Sequence, residues 1–181
     1  PQGVGSHPCE ATDLCGRLDR PRVLDTVGNR GFSGAANAAR GHAPQGALSL
    51  MIQEDGPLFV ADTHVNAVPT PEQVALAIVG AARHARRFGV TPKVALCSHS
   101  NFGNLDTDSG RRMRAALEIL DSKGVDFDYD GEMSVDAALD PELRARIFPN
   151  ARFADAANIL VFAFTDAANT ARNILKMRAG G

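Results

Sequence analysis

The chain has 181 residues, 44% of them apolar and 22% charged, and a formal net charge of −2 at pH 7. These apolar residues are enough for a packed core, and the length is typical of one domain. The near-neutral charge provides no basic field to attract nucleic acid or an anionic membrane. We therefore expect a small molecule or a protein as the partner, and neither nucleic acid nor membrane.

The three cysteines, Cys9, Cys15 and Cys97, form neither a disulfide framework nor a zinc pattern, because a closed zinc site needs four ligands. Reduced thiols are the interpretation that this spacing favours, and Cys97 is predicted to be a small core residue. No apolar run is long enough to cross a bilayer, and the start lacks the pattern of a secretory signal. We expect a cytoplasmic protein without a metal site.

The first part of the chain differs from the rest. Residues 1–45 contain seven glycines and five arginines but no sustained apolar spacing, which predicts a loop or a flexible or foreign segment. From residue 46 onward the pattern becomes regular. Residues 47–52 and 58–61 predict two strands, joined by a turn at 54–57.

A helix is predicted from Pro71 to Phe88. Thr70 and Gln73 can form a capping box, and proline suits the first helical position. Gly89 is placed to end the helix in a left-handed conformation. The predicted apolar face consists of Val74, Ala77, Ile78, Ala81, Ala85 and Phe88.

The remaining pattern alternates between strands and helices. It predicts a strand at 93–97, a helix at 108–123, a strand at 125–129, mostly helix over 134–148, a strand at 158–163 and a helix at 166–178. In the last helix the predicted buried residues are Ala168, Ala171, Ile174 and Leu175. This alternation predicts a parallel sheet with right-handed crossovers.

Three polar runs stand where strands give way to helices, the position where α/β proteins keep binding groups. They are Ser98-His-Ser-Asn-Phe-Gly103, Asp130-Gly-Glu-Met133 with Asp136-Ala-Ala138, and Asp166-Ala-Ala-Asn169. The hydroxyls, amide and N–H groups of the first run could bind an anion, or could satisfy their own backbone. The carboxylates of the second could serve as a general acid/base pair, as magnesium ligands or as helix caps. Asp166 could cap its helix.

Two groups of arginines have a simpler interpretation. Arg83, Arg86 and Arg87 lie on the polar face of one predicted helix, and Arg111, Arg112 and Arg114 lie on another. Arginines on the polar side of an amphipathic helix are usually solvated. We predict that both groups face water.

The three polar runs resemble the phosphate acetyl/butyryl transferase family, most closely the C-terminal domain of bacterial NADP-dependent malic enzymes. The resemblance covers residues 46–181. It implies a three-layer α/β fold like that of isocitrate and isopropylmalate dehydrogenases, with a mostly parallel sheet, helices on both faces and both ends incomplete. The ligand-binding residues that it implies are Ser98, Ser100, Asn101, Gly131, Glu132, Asp136, Asp166 and Asn169. His99 is not assigned as a base, because the family varies at this position.

The resemblance also implies a chemistry. In the family a base removes the proton of the coenzyme A thiol, the thiolate attacks an acyl phosphate, and positive groups hold the departing phosphate. The family's carboxylate base follows the helix at 166–178, beyond which this sequence reaches only Gly181. We therefore leave the catalytic residues unassigned and expect little or no turnover by this polypeptide alone.

Two functions follow from the resemblance. The first is an acetyl-CoA-binding regulatory part of a malic enzyme, which would be homo-oligomeric at full length; the second is a fragment of a working phosphate acetyltransferase. The expected ligands are acetyl-CoA or CoA with phosphate or acetyl phosphate, and no tightly bound cofactor is expected. A Rossmann dehydrogenase is a weaker third interpretation, since no G-x-G-x-x-G run opens a predicted helix.

Overall fold

The computed structural model describes residues 22–24, 46–53, 56–61 and 66–178. The strands in this part of the chain are β1 (Arg22–Leu24), β2 (Leu48–Gln53), β3 (Gly56–Ala61), β4 (Lys93–Cys97), β5 (Asp128–Met133) and β6 (Ile159–Phe162). The helices are α1 (Pro71–Arg87), α2 (Asp108–Lys123), α3 (Val135–Leu139), α4 (Pro141–Ile147) and α5 (Thr165–Arg178).

The strands form one sheet in the order β1-β2-β3-β6-β4-β5. Strand β2 is antiparallel to both of its neighbours, whereas the β3–β6, β6–β4 and β4–β5 pairs are parallel. The prediction of an α/β fold with a mostly parallel sheet is therefore confirmed. Because β4, β5 and β6 point the same way, their carboxyl ends share one edge of the sheet.

Helices cover both faces of this sheet, and the alternation of side chains along each strand supplies both cores. In β4, Val94 and Leu96 pack in the core beneath α1 and α2. Ala95 and Cys97 point to the opposite core, where Ala168 of α5 packs. None of the helices in the described ranges has the length and apolar character to span a membrane.

The predicted local signals around α1 are confirmed. The Thr70 N–H donates to Gln73 Oε1 at 2.8 Å, and the Gln73 N–H donates to Thr70 Oγ1 at 3.3 Å, which completes the capping box. Gly89 follows the helix with φ +74°, the left-handed conformation that glycine adopts without steric cost. The predicted hairpin is present as β2 and β3.

The strand predicted at 125–129 is wrong in its bounds. Strand β5 begins at Asp128 and includes the acidic run, so that run lies in the sheet rather than in a loop. The register explains the difference, because Lys93 pairs with Asp128 and Ala95 with Asp130. Tertiary pairing therefore overrides the apolar alternation of the preceding residues.

Three further predictions are corrected. Helix α5 begins at Thr165, so Asp166 lies inside its first turn and is not the N-cap. Ile174 is 58% exposed and not part of the core. Arg22–Leu24 pairs with β2, so the prediction of irregular structure is wrong at these three residues. The rest of that prediction, over 1–21 and 25–45, lies outside the described residues.

Gly131→Ala should destabilise the fold more than Gly56→Ala. Both glycines have positive φ, +146° and +128°, but only at position 131 would an added Cβ collide, lying 2.7 Å from the Leu96 carbonyl oxygen. The shared backbone conformation costs about 1–3 kcal/mol in each variant, and the collision adds about 1–3 kcal/mol at 131. Urea denaturation measures both free energies of unfolding. Equal losses would contradict the close packing of β5 against β4.

Cys97 should resist alkylation in the folded chain. The residue is 2% exposed, and burial raises the pKa of its thiol to about 12. At pH 8 it therefore remains a thiol, and the reactive thiolate is scarce. Iodoacetamide labelling followed by peptide mass spectrometry should leave the Cys97 peptide unmodified until denaturant is added. Rapid labelling under native conditions would contradict the assigned core.

Candidate functional site

The candidate site lies where β4 and β5 end, and the 98–107 loop that follows β4 is its main component. Ser100 is fully buried in this loop. Its hydroxyl donates to Asn104 Oδ1 at 3.1 Å and accepts the Leu105 N–H at 3.2 Å. Asn104 Oδ1 also accepts the Asn101 N–H at 2.8 Å. The Asn104 side chain thus closes the loop on itself.

Hydroxyl groups line the other end of this loop. Ser98 Oγ lies 3.0 Å from Ser109 Oγ, which in turn lies 3.1 Å from Thr107 Oγ1. Thr107 is the N-cap of α2, and its hydroxyl accepts the Gly110 N–H at 3.1 Å. The free N–H groups of the first turn are therefore partly satisfied by the protein.

Strand β5 carries a bulge at Glu132, and this bulge joins the first two motifs. Leu96 pairs with Gly131 and Cys97 with Met133, so the ladder skips Glu132. A bulge turns a residue out of the regular ladder. The freed Glu132 carbonyl accepts the Phe102 N–H at 2.7 Å.

The acidic side chain of Glu132 continues this contact. Its Oε1 accepts the Gly103 N–H at 2.8 Å and an N–H of Arg114 Nη1 at 2.8 Å. The Glu132 side chain is 0% exposed, whereas that of Arg114 is 36% exposed. Oε2 of Glu132 has no hydrogen-bond partner within the described residues. Asn101 adds a contact, since its Oδ1 accepts the Ser134 N–H at 2.7 Å.

The prediction that the arginines of α2 face water is wrong for two of them. Arg114 pairs with Glu132, and Arg112 donates to the Ala163 carbonyl at 3.1 Å, with its guanidinium 4.6 Å from the Phe164 ring centroid. Arg111 does lie at the surface, where it pairs with acidic residues. Arg83, Arg86 and Arg87 of α1 are exposed, as predicted.

The carboxylates of the second motif have separate environments. Asp130 is 3% exposed and accepts the N–H groups of Gly131 at 2.9 Å and Arg152 at 2.7 Å, which fixes the segment before β6. Asp136 is exposed, and hydrogen bonds from the Ser134 hydroxyl and the Ala137 N–H lower its pKa. A lowered pKa makes Asp136 a weak proton acceptor.

In the described part of the chain, no three His, Cys, Asp or Glu side chains are grouped so that they could hold a metal ion.

The third motif lies one strand away, after β6. Asp166 is exposed there, and Asn169 Oδ1 accepts a hydrogen bond from Asn173 at 2.9 Å. The structure thus joins the first two motifs and places the third at the end of the adjacent strand.

Sequence reasoning missed Asn104 and Arg114. Asn104 belongs to a polar loop in which any of several side chains could close the turn. Arg114 carried no local signal, because the acidic run was predicted to lie in a loop, and only the burial of Glu132 in β5 requires a nearby cation. Gly110, one helical turn before Arg114, marks where a long side chain can lie back along α2.

Comparisons with known proteins agree with one another. The family model described as "Phosphate acetyl/butaryl transferase" matches residues 33–181. An NADP-dependent malic enzyme of Salmonella typhimurium is 45% identical over 73% of this chain and 17% of its own length. The phosphate acetyltransferase of Clostridium acetobutylicum is 37% identical over 60% of this chain and 33% of its own length. The chain thus spans a third or less of these relatives.

A solved structure gives the same result at the level of the fold. A phosphotransacetylase from Streptococcus pyogenes superposes with a TM-score of 0.70 and 27% sequence identity. The match covers 82% of this chain and 49% of that protein.

Asn104→Ala should destabilise the loop, whereas Asn104→Asp should be tolerated. Alanine leaves the buried Ser100 hydroxyl and the Asn101 N–H without their acceptor, at a cost of about 1–2 kcal/mol. Aspartate keeps that oxygen. Urea denaturation measures both free energies of unfolding, and Asn150→Ala, in an exposed turn, is the control. Equal stability of Asn104→Ala and wild type would contradict the role of Asn104.

Proposed function

Since the chain belongs to the phosphate acetyl/butyryl transferase family, we propose that its described domain binds acetyl-CoA or CoA at the carboxyl edge of the sheet. The main observation behind this proposal is that Glu132 holds the 98–107 loop against the end of β5. It does so by accepting hydrogen bonds from the adjacent N–H groups of Phe102 and Gly103. An ordered polar loop at this edge is a preorganised site for a ligand with phosphate and amide groups.

The proposed contacts come from residues that remain accessible at this edge of the sheet, in the 98–107 loop and in the helices after β5 and β6. Ser98, Asn101 and Asn169 are half-buried, while Asp136 and Asp166 are exposed. These residues supply hydroxyl, amide and carboxylate groups for direct or water-mediated contacts. Ser100 and Glu132 lie beneath them as support, and the half-buried Gly131 lets β5 approach β4 closely.

We further propose that this domain binds without transferase turnover. Thiol attack needs a proton acceptor, but Glu132 is buried and paired with Arg114, and Asp136 is a weak acceptor because its pKa is lowered. The departing phosphate must also be stabilised by positively charged side chains. Arg112 and Arg114 are already engaged by protein acceptors.

The biological role that we propose is regulation of a malic enzyme by acetyl-CoA, with this domain as one part of a longer homo-oligomeric cytoplasmic protein. The longer match to malic enzymes supports this choice, with 132 residues aligned to the Salmonella typhimurium enzyme against 110 to the Clostridium acetobutylicum phosphate acetyltransferase. Regulation would require that acetyl-CoA binding and catalysis be coupled between separate sites. Phosphate or acetyl phosphate is the proposed second ligand, and no tightly bound cofactor is required.

We also propose that the sheet follows the arrangement found in isocitrate and isopropylmalate dehydrogenases.

The alternative is a fragment of a working phosphate acetyltransferase. The similarity to the Streptococcus pyogenes phosphotransacetylase, over 82% of this chain, favours it. In that case the base and the phosphate clamp would come from residues other than those described at the site.

Calorimetric titration of the chain with acetyl-CoA, run beside an assay for acetyl phosphate formation, separates these functions. We expect saturable binding and no turnover. Turnover would support the alternative, and the absence of binding would overturn the proposal.

Asn101→Asp tests the location of the site. Aspartate keeps the oxygen that accepts the Ser134 N–H, but it adds a negative charge facing an anionic ligand. We expect about tenfold weaker acetyl-CoA binding with little loss of stability. Asn150→Asp makes the same charge change in an exposed turn and should bind like wild type. Equal affinities of the two variants would place the site elsewhere.

A further inference from the structure

The tip of the 98–107 loop has a conformation that it would not hold alone. Phe102 has φ +49°, a region that bulky side chains rarely occupy. Its ring stacks on Phe148, with centroids 4.0 Å apart and an interplanar angle of 13°. Contacts from outside the loop must therefore stabilise this tip.

Glu132 supplies the hydrogen bonds that do so. Its carbonyl accepts the Phe102 N–H at 2.7 Å, and its Oε1 accepts the Gly103 N–H at 2.8 Å. The Glu132 side chain is 0% exposed, so its bond to the exposed Gly103 is partly shielded from competing solvent. One bulged residue of β5 thus fixes two consecutive residues of the loop.

Arg114 provides the charge that this buried carboxylate requires. Its Nη1 lies 2.8 Å from Glu132 Oε1, and its Nη2 lies 3.8 Å from Asp106 Oδ1. Without the guanidinium, Gly103 would be the remaining described donor to the Glu132 carboxylate. A buried carboxylate deprived of its cation tends to move toward water or to change its contacts.

Gly110 gives the Arg114 side chain its route. The two residues are one turn apart on α2, and an added Cβ at 110 would lie 3.2 Å from Arg114 Nη1. The same Cβ would lie 3.1 Å from Thr107 Oγ1 and 3.3 Å from Ser100 Cβ. A larger residue would therefore crowd both the guanidinium and the loop.

We propose that Glu132 and Arg114 are a positioning pair, which holds Phe102 and Gly103 in the arrangement that the ligand requires and does not itself contact the ligand. The role of this pair in binding rests on the proposed acetyl-CoA function. Its role in ordering the loop stands on the contacts alone.

Amide hydrogen exchange, measured by NMR on the ligand-free full chain, tests the ordering. Arg114→Met should accelerate exchange at Phe102 and Gly103 about tenfold and leave Ala95 and Leu96 of β4 unchanged. Arg111→Met, three residues earlier on α2 with exposed partners, should change neither. Acceleration across the whole core would show a purely structural role and overturn the proposal, as would unchanged loop amides.

A rescue variant sharpens this test. In Arg114→Met/Glu132→Gln, glutamine still offers Oε1 to the Gly103 N–H but needs no cation, so loop protection should return to near the wild-type value. If Arg114→Met does not fold, Gly110→Ala should give a smaller acceleration at the same two amides. The proposal would be overturned if the double variant did not restore protection at Phe102 and Gly103. It would also be overturned if Gly110→Ala left exchange at these two amides unchanged.

Acetyl-CoA calorimetry on these variants tests the effect on binding. Arg114→Met should bind about tenfold more weakly than wild type, and the double variant should recover. If wild type itself does not bind acetyl-CoA, the proposed function fails, while the exchange data still decide whether the pair orders the loop. Wild-type affinity in Arg114→Met would overturn the positioning role.

Discussion

The buried carboxylate of Glu132 is the constraint on which the candidate site depends. A carboxylate taken out of water costs several kcal/mol unless donors and a cation replace the solvent. Gly103 and Arg114 provide both, at 2.8 Å each. The loop after β4 and the first turns of α2 must therefore meet at the end of β5. The negative charge of Glu132 thus brings the parts of the site together.

The parallel sheet determines where that charge lies. Strands β6, β4 and β5 are parallel neighbours, so the segments that follow them emerge at one edge. The bulge at Glu132 then turns this residue out of the ladder, while Met133 returns to the core beside Cys97. Gly131 permits this bulge, because the backbone of Leu96 leaves no room for a side chain at position 131.

Local features were predictable from the sequence, and features created by tertiary pairing were not. The capping box of Thr70 and the stop at Gly89 depend on neighbouring residues alone, and both are present. The bounds of β5 depend on its register with β4, which no local pattern encodes. Within the site, the polar runs located the loop and the acidic segment, but the partners Asn104 and Arg114 became evident only when α2 was placed beside β5. The ligand-binding roles of all eight predicted residues stay predictions: Ser98, Ser100, Asn101, Gly131, Glu132, Asp136, Asp166 and Asn169.

The contacts that order the site also limit its chemistry. An acyl transfer site needs a basic group free to take a proton and cations free to hold phosphate. Here Glu132 and Arg114 neutralise each other, and Arg112 holds the end of β6 through the Ala163 carbonyl. Groups committed to structure in this way are poorly available to a reacting molecule. The same contacts tie the loop to β5, and a loop ordered before binding lowers the entropy cost of binding. These commitments are the physical basis of the proposal that the described domain binds a ligand without transforming it.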